Sequence, residues 1–155
     1  MAVKEHAKIR GLKVDDLAEV VRIDAAHTGE AKKSYWERIF SEYLGRRGRG
    51  RTFGIGVNGP KGLAAYLFGE VRAAEFGSEP CGWVFAVGVD QEQLRRHLAS
   101  ALLADARRRF HKLGVSTVRT MVLRSDVDVL SFFRANGFVG GSYVQLQIGV
   151  GENEA

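Results

Sequence analysis

Apolar positions follow two periods that alternate along the chain. Residues 83–89, Trp-Val-Phe-Ala-Val-Gly-Val, are apolar throughout and rich in β-branched and aromatic side chains, broken only by Gly88. That composition predicts a strand buried on both faces. Directly after it, Leu94, Leu98, Leu102, Ala106 and Phe110 recur every fourth residue and predict a helix with one inward face. Gly114 supplies a left-handed C-cap, and Arg107, Arg108, Arg109, His111 and Lys112 occupy the last turns, where cations suit the helix dipole. A strand running straight into a long helix presents backbone N–H groups to an anion, although most such junctions only pack a core.

The same reading orders the rest. Lys8, Ile9, Arg10, Gly11 and Leu12 predict a short first strand. Asp15 or Asp16 starts a helix with Leu17, Val20, Val21 and Ile23 inward, and residues 25–33 read as a loop. Ser34 followed by Glu37 is a capping box that opens a second helix carrying Tyr35 or Trp36, Ile39, Phe40, Tyr43 and Leu44, ended by Gly45. Residues 52–57 and 63–74 predict a hairpin around the turn Asn58-Gly59-Pro60-Lys61. Residues 115–123 predict a fifth strand, parallel to the central one because a helix connects them. Asp126 or Asp128 caps a short helix with Leu130 and Phe133 inward, ended by Asn136-Gly137. Residues 143–150 alternate as a last strand before a frayed tail.

Composition narrows the class. A chain of 155 residues fits one domain, residues 1–155, with a core that needs no staples. The single cysteine, Cys81, excludes an internal disulfide and fits a reducing, cytoplasmic setting; it reads as a small buried residue. No leader-like or membrane-spanning apolar run is expected, hence no membrane partner. The net charge of +5 permits an anionic ligand without demanding one. The cluster Arg46, Arg47, Arg49 and Arg51 reads as a solvated loop rather than a nucleic-acid contact, because no aromatic residues interleave with it.

The order βααβββαβαβ resembles the GNAT superfamily of acyl-CoA-dependent N-acetyltransferases over nearly the whole chain. Three places carry the resemblance: Ile9-Arg10-Gly11-Leu12 with Asp16-Leu17 and Ile23-Asp24; Val87-Gly88-Val89-Asp90 through Ala101-Leu102-Leu103; and Phe132-Phe133-Arg134-Ala135-Asn136-Gly137-Phe138. It implies an α/β (α+β) fold with a central mixed β-sheet of about six to seven strands and about four helices. It also implies acetyl-CoA as co-substrate and an amine as acceptor. Members often pair through their last strands, so residues 143–150 could form a homodimer or be an ordinary sheet strand.

The family's pyrophosphate loop has the pattern Arg/Gln-x-x-Gly-x-Gly/Ala. It falls on Leu94, Arg95, Arg96, His97, Leu98 and Ala99, followed by Ser100. Ala99 alone fits: Leu94 replaces the arginine or glutamine, His97 the first glycine, and Gln91 stands where proline is common. Backbone N–H groups do not depend on side-chain identity, so an anion site survives if His97 takes the dihedrals of the glycine. The resemblance assigns backbone groups of Val87 and Val89 to the pantetheine arm and the Val87 N–H to the thioester carbonyl. Asp126 aligns with an asparagine that touches pantetheine. Phe133 stands where many members have a tyrosine that protonates the leaving thiolate, which phenylalanine cannot do. Tyr143 is the nearest spare phenol by sequence.

Candidate bases are Glu79 before the fourth strand, Glu70 on the third and Glu75 between them, each acting through water, and His27 between the first two helices. Three functions follow in order of weight. The first is an N-acetyltransferase acting on a protein N-terminus, a lysine or a small amine by direct attack in a ternary complex. The second is a degenerate member that binds acyl-CoA or a protein partner without turnover. The third is a nucleic-acid-associated protein, for which binding would fall steeply with salt.

Overall fold

The computed structural model describes residues 8–45, 50–73 and 75–151, in two compact units that divide at Met121 and Val122. In the first, β1 (Ile9–Gly11) precedes α1 (Leu17–Thr28) and α2 (Lys33–Leu44), then β2 (Thr52–Gly59), β3 (Gly62–Arg72), β4 (Cys81–Val89), α3 (Leu98–Lys112) and β5 (Val118–Arg119). The second unit holds α4 (Val127–Ala135). The sheet runs β1-β2-β3-β4-β5, antiparallel except for the parallel pair β4–β5 across α3. The mixed α/β architecture and four helices are as expected; among the described residues the sheet has five strands rather than six or seven. Residues 143–150 form no strand: Val144, Leu146, Ile148 and Val150 keep their alternation but are 78–98% exposed. Of the arginine cluster, only Gly50 and Arg51 are described; residues 46–49 lie outside, as do residues 152–155 of the tail.

Local chemistry explains where elements begin. Asp16 does not cap α1 with its side chain. Its carboxylate takes two 2.8 Å bonds from the Arg10 guanidinium and one of 2.8 Å from the Lys13 N–H, tying β1 to the helix start. The segment read as a loop from residue 25 is helical through Thr28 and ends on Gly29 at φ 79°, so His27 is a helix residue. The capping box does not form either. Helix α2 begins two residues early: Lys32 rather than Ser34 is the N-cap, with no side-chain cap bond, which leaves Ser34 inside the helix. A lysine there forgoes the roughly 1 kcal/mol of a serine cap and sets a cation against the positive end of the helix dipole. Asp126 does cap α4, accepting from the Val129 N–H at 3.2 Å.

The sheet is covered on two faces. On one, Val20 and Ile23 of α1 and Trp36, Ile39, Phe40 and Tyr43 of α2 pack against Leu63, Tyr66 and Phe68 of β3. The other involves α3, whose Phe110 ring lies so close over β4 that a Cβ on Gly82 would meet it at 2.6 Å. The stripe runs Leu98, Leu102, Ala106 and Phe110, each no more than 4% exposed. Leu94 does not join it, being 57% exposed in a 3-10 turn (residues 91–96) inserted between β4 and α3. The expected direct run from strand to helix is thus interrupted. Cys81 is buried, as expected.

Candidate functional site

Strand β4 has one paired edge and one that opens. Asp90 donates its N–H to the Ala64 carbonyl of β3 at 2.7 Å. Antiparallel alternation then gives Gly88 to the β3 edge and turns the N–H and C=O of Val87 and Val89 to the opposite edge. The Cα register pairs Val87 with Leu67 and Val89 with Ala65. On that opposite edge the ladder to β5 covers only Gly82 and Trp83, and the Thr120 hydroxyl then donates to the Val84 carbonyl at 3.0 Å in place of a backbone partner. Beyond it the strand departs from β5. A register shift opposite Phe68 and Gly69 leaves Phe85 as an extra residue on β4, a bulge that re-aims the backbone just before Val87.

At the end of β4 the chain enters the 3-10 turn. Asp90 caps it, accepting from the Glu92 N–H at 3.1 Å. That backbone bond, aided by the Arg22 guanidinium at 3.0 Å, holds the Asp90 carboxyl below its ordinary pKa. Leu94, Arg95 and Arg96 belong to the turn, and His97 closes it at φ 55°, ψ 29°, the left-handed conformation that a glycine takes without strain. The histidine therefore holds a backbone that glycine adopts more readily than any other residue. It is also the N-cap of α3 and makes no side-chain cap bond. The first α3 bond runs from the Ala101 N–H to the His97 carbonyl at 3.2 Å, so the N–H groups of Leu98, Ala99 and Ser100 have no acceptor within the helix.

Helix α1 is clasped to this junction. The His27 Nε2–H donates to the Val89 carbonyl at 2.7 Å; a carbonyl only accepts, so Nε2 carries the proton and Nδ1 is the nitrogen of a neutral ring left to accept one. The Gln91 amide donates to the Ala26 carbonyl at 3.0 Å, and Arg22 bridges Glu19 and Asp90. One turn back on α1, Asp24 accepts the Trp36 indole N–H at 3.0 Å and pairs with Lys32 at 3.5 Å. The Tyr66 ring covers Gly88 so closely that a Cβ there would lie 2.5 Å from it. Burial pushes the Tyr66 phenol well above its ordinary pKa, and the negative charge of Asp24 adds to that rise.

The structure therefore gathers Val87, Val89, the turn from Leu94 to His97, and Leu98, Ala99 and Ser100 around one strand end, with His27 in contact. Glu70 pairs across β3–β4 with Trp83, toward the other end of β4, where its carboxylate is held by Arg72, itself stacked 4.3 Å from the Trp83 ring centroid. Burial, followed by a hydrogen bond to Glu70, raises the Tyr43 phenol. Glu79 precedes β4 and lines a cavity of about 430 Å³ with Arg51, Val71 and Gly114, also away from Val87. Tyr143, 53% exposed, Asp126 and Phe133 belong to the second unit, where Phe133 packs edge-to-face on Phe132 and Phe138. Sequence reasoning did not single out Asp24, which entered it only within the Ile23-Asp24 stretch of the resemblance.

The family model for the GNAT acetyltransferase family matches residues 17–138, and the chain belongs to that family. Its members are enzymes that take the acetyl group from acetyl-CoA. No curated protein sequence matches the chain. Among solved structures, the chain is similar to the aminoglycoside acetyltransferase AAC(6')-Iy in complex with a CoA bisubstrate analog (14% identity, 94% of this chain and 99% of that one, TM-score 0.78). It is also similar to the Arabidopsis thaliana glucosamine-6-phosphate N-acetyltransferase (17%, 95% and 100%, TM-score 0.72). A third is the ribosomal-protein-alanine N-acetyltransferase of Brucella melitensis biovar Abortus 2308 (16%, 94% and 99%, TM-score 0.73). At these identities the likeness establishes the fold. Among the described residues no helix is long and apolar enough to cross a membrane.

Proposed function

We propose that this chain transfers acetyl from acetyl-CoA to a primary amine by direct attack, with both reactants held at the open edge of β4. The observation that carries this reading is the alternation that turns the backbone groups of Val87 and Val89 to the edge where β5 has left the ladder. The N–H groups of Leu98, Ala99 and Ser100, at the positive end of α3 behind His97, suit the pyrophosphate. Val87 and Val89 pair with the pantetheine amides, and the Val87 N–H polarises the thioester carbonyl. The Val89 oxygen has a second lone pair, so it accepts a pantetheine N–H beside the His27 bond.

Holding the amine against the carbonyl supplies up to about 7–11 kcal/mol of barrier reduction. His27 takes the amine proton at Nδ1, because it touches the strand end that Glu70 and Glu79 do not. The amine forms its bond to the carbonyl carbon, the C–S bond breaks, the thiolate takes a proton from water, and His27 gives its proton to the hydroxide left behind. The test is thiol release from acetyl-CoA with a panel of primary amines. Amine-dependent release supports transfer. Acetyl-CoA binding without release would support the second reading, a non-catalytic acyl-CoA binder, which the apolar Phe133 favours.

A further inference from the structure

Helix α2 carries a lysine at its N-cap, where a cation opposes the helix dipole, while Ser34 goes unused two residues later. A local rule broken in this way marks a place where something other than folding is served. The Lys32 ammonium lies 3.5 Å from Asp24 and 5.9 Å from the Tyr35 ring centroid. Asp24 is set for such a guest. Its side chain is 14% exposed, and the buried Trp36 indole holds it at 3.0 Å. Tyr35 stands edge-on to Trp36 at 5.2 Å, and Trp36 edge-on to Tyr66 at 5.6 Å. A carboxylate beside aromatic faces is a receptor for an ammonium group.

This receptor adjoins the transfer edge. Asp24 and His27 are three residues apart on α1 and so share a face, and His27 touches the Val89 carbonyl. Tyr66, whose phenol feels the Asp24 charge, lies over Gly88, between Val87 and Val89. We infer that Asp24 and Tyr35, with Trp36 fixing the carboxylate, form the subsite for the acceptor's ammonium, and that Lys32 is a built-in competitor whose side chain copies the acceptor. The acceptor class is then a primary ammonium on an unbranched alkyl stem. Lys32, 35% exposed on a flexible stem, swings into solvent when such a group enters. The assignment rests on the acetyltransferase reading of β4, but the binding step does not require turnover.

The test is a titration of the whole chain with n-butylammonium, followed by tryptophan emission, with n-butanol as the uncharged control. Trp36→Phe identifies the reporting indole. Lys32→Met vacates the subsite and removes a cation from the positive end of α2, and Asp24 keeps the Trp36 indole as a partner; thermal unfolding of the variant checks that it is folded. If Lys32 fills the subsite nine-tenths of the time, its removal tightens apparent binding by about tenfold. Asp24→Asn still accepts the Trp36 N–H but lacks charge, and in the Lys32→Met background it should return binding to the butanol level. In turnover, Lys32→Met should lower KM for alkylamines and leave KM for acetyl-CoA unchanged. Binding in Lys32→Met no tighter than wild type, or equal binding with and without Asp24, overturns the subsite. Failure of acetyl-CoA to bind while Lys32→Met takes up butylammonium overturns the transfer reading and leaves the subsite standing.

Discussion

The His27 imidazole and the Val89 carbonyl, 62 residues apart in sequence, meet at 2.7 Å and fasten the end of α1 to the end of β4. The ring donates at Nε2 and, in the proposed mechanism, is a base at Nδ1, and two substitutions separate the two roles. His27→Gln keeps an N–H donor for Val89 but no base. It should hold acetyl-CoA affinity while kcat falls by about 10²–10⁴-fold. His27→Ala loses the bond as well, and affinity should drop by about 2–10-fold, the worth of one net hydrogen bond. Steady-state kinetics and calorimetry on the two variants check this. Full kcat in His27→Gln would remove the base from the mechanism.

His97 holds a left-handed backbone at φ 55° with a side chain that glycine would not need. His97→Gly should relieve about 1 kcal/mol of strain and raise Tm by about 2–4 °C. His97→Ala, strained in the same way, should give no such gain. Because the pyrophosphate is read by backbone N–H groups, acetyl-CoA affinity in His97→Gly should be equal or tighter. Thermal unfolding with and without ligand measures both.

Most of the fold was legible because its signals are local and periodic. The four-residue repeat from Leu98 to Phe110 is the buried face of α3, and the apolar block from Trp83 to Val89 is β4. The errors fell where one side chain outweighed a pattern. Leu94 continues the helical period, but His97 turns the chain left-handed and leaves Leu94 outside. Ser34 and Glu37 spell a helix start, but α2 is capped two residues earlier, by Lys32, which pairs with Asp24. In the site, Val87 and Val89 could be named from the resemblance. The contact of His27 with Val89 could not, because no local rule reports which carbonyl a residue 62 positions away will meet.

Gly88 interrupts β4 because Tyr66 lies across it. Gly88→Ala would put a Cβ at 2.5 Å from that ring and should cost about 1–3 kcal/mol of stability in urea unfolding. Tyr66→Leu removes the ring, and in that background the same alanine should cost much less. Equal costs in the two backgrounds would show that Tyr66 is not what excludes a side chain.

The Arg10–Asp16 pair gives a pH signature. A hydrogen bond from Arg10 holds the Asp16 carboxyl below its ordinary value of 3.8, and the Lys13 N–H adds to this against partial burial. A depressed folded pKa contributes stability that is fully present above the unfolded value and lost as pH falls through the folded one. Asp16→Asn should therefore cost about 1–3 kcal/mol at neutral pH, and that gap should narrow below pH 3.8. A gap that does not change with pH would mean that the pair's charge adds nothing.

The central claim, that β4 and the start of α3 form an acetyl-CoA site despite Leu94 and His97, is tested most directly by titration calorimetry of the whole chain. One acetyl-CoA should bind per chain at micromolar strength, and S-acetylpantetheine, which lacks the pyrophosphate that the N–H groups of Leu98, Ala99 and Ser100 would hold, should bind much more weakly. No heat of binding with millimolar acetyl-CoA, or equal affinity for the two thioesters, would contradict it.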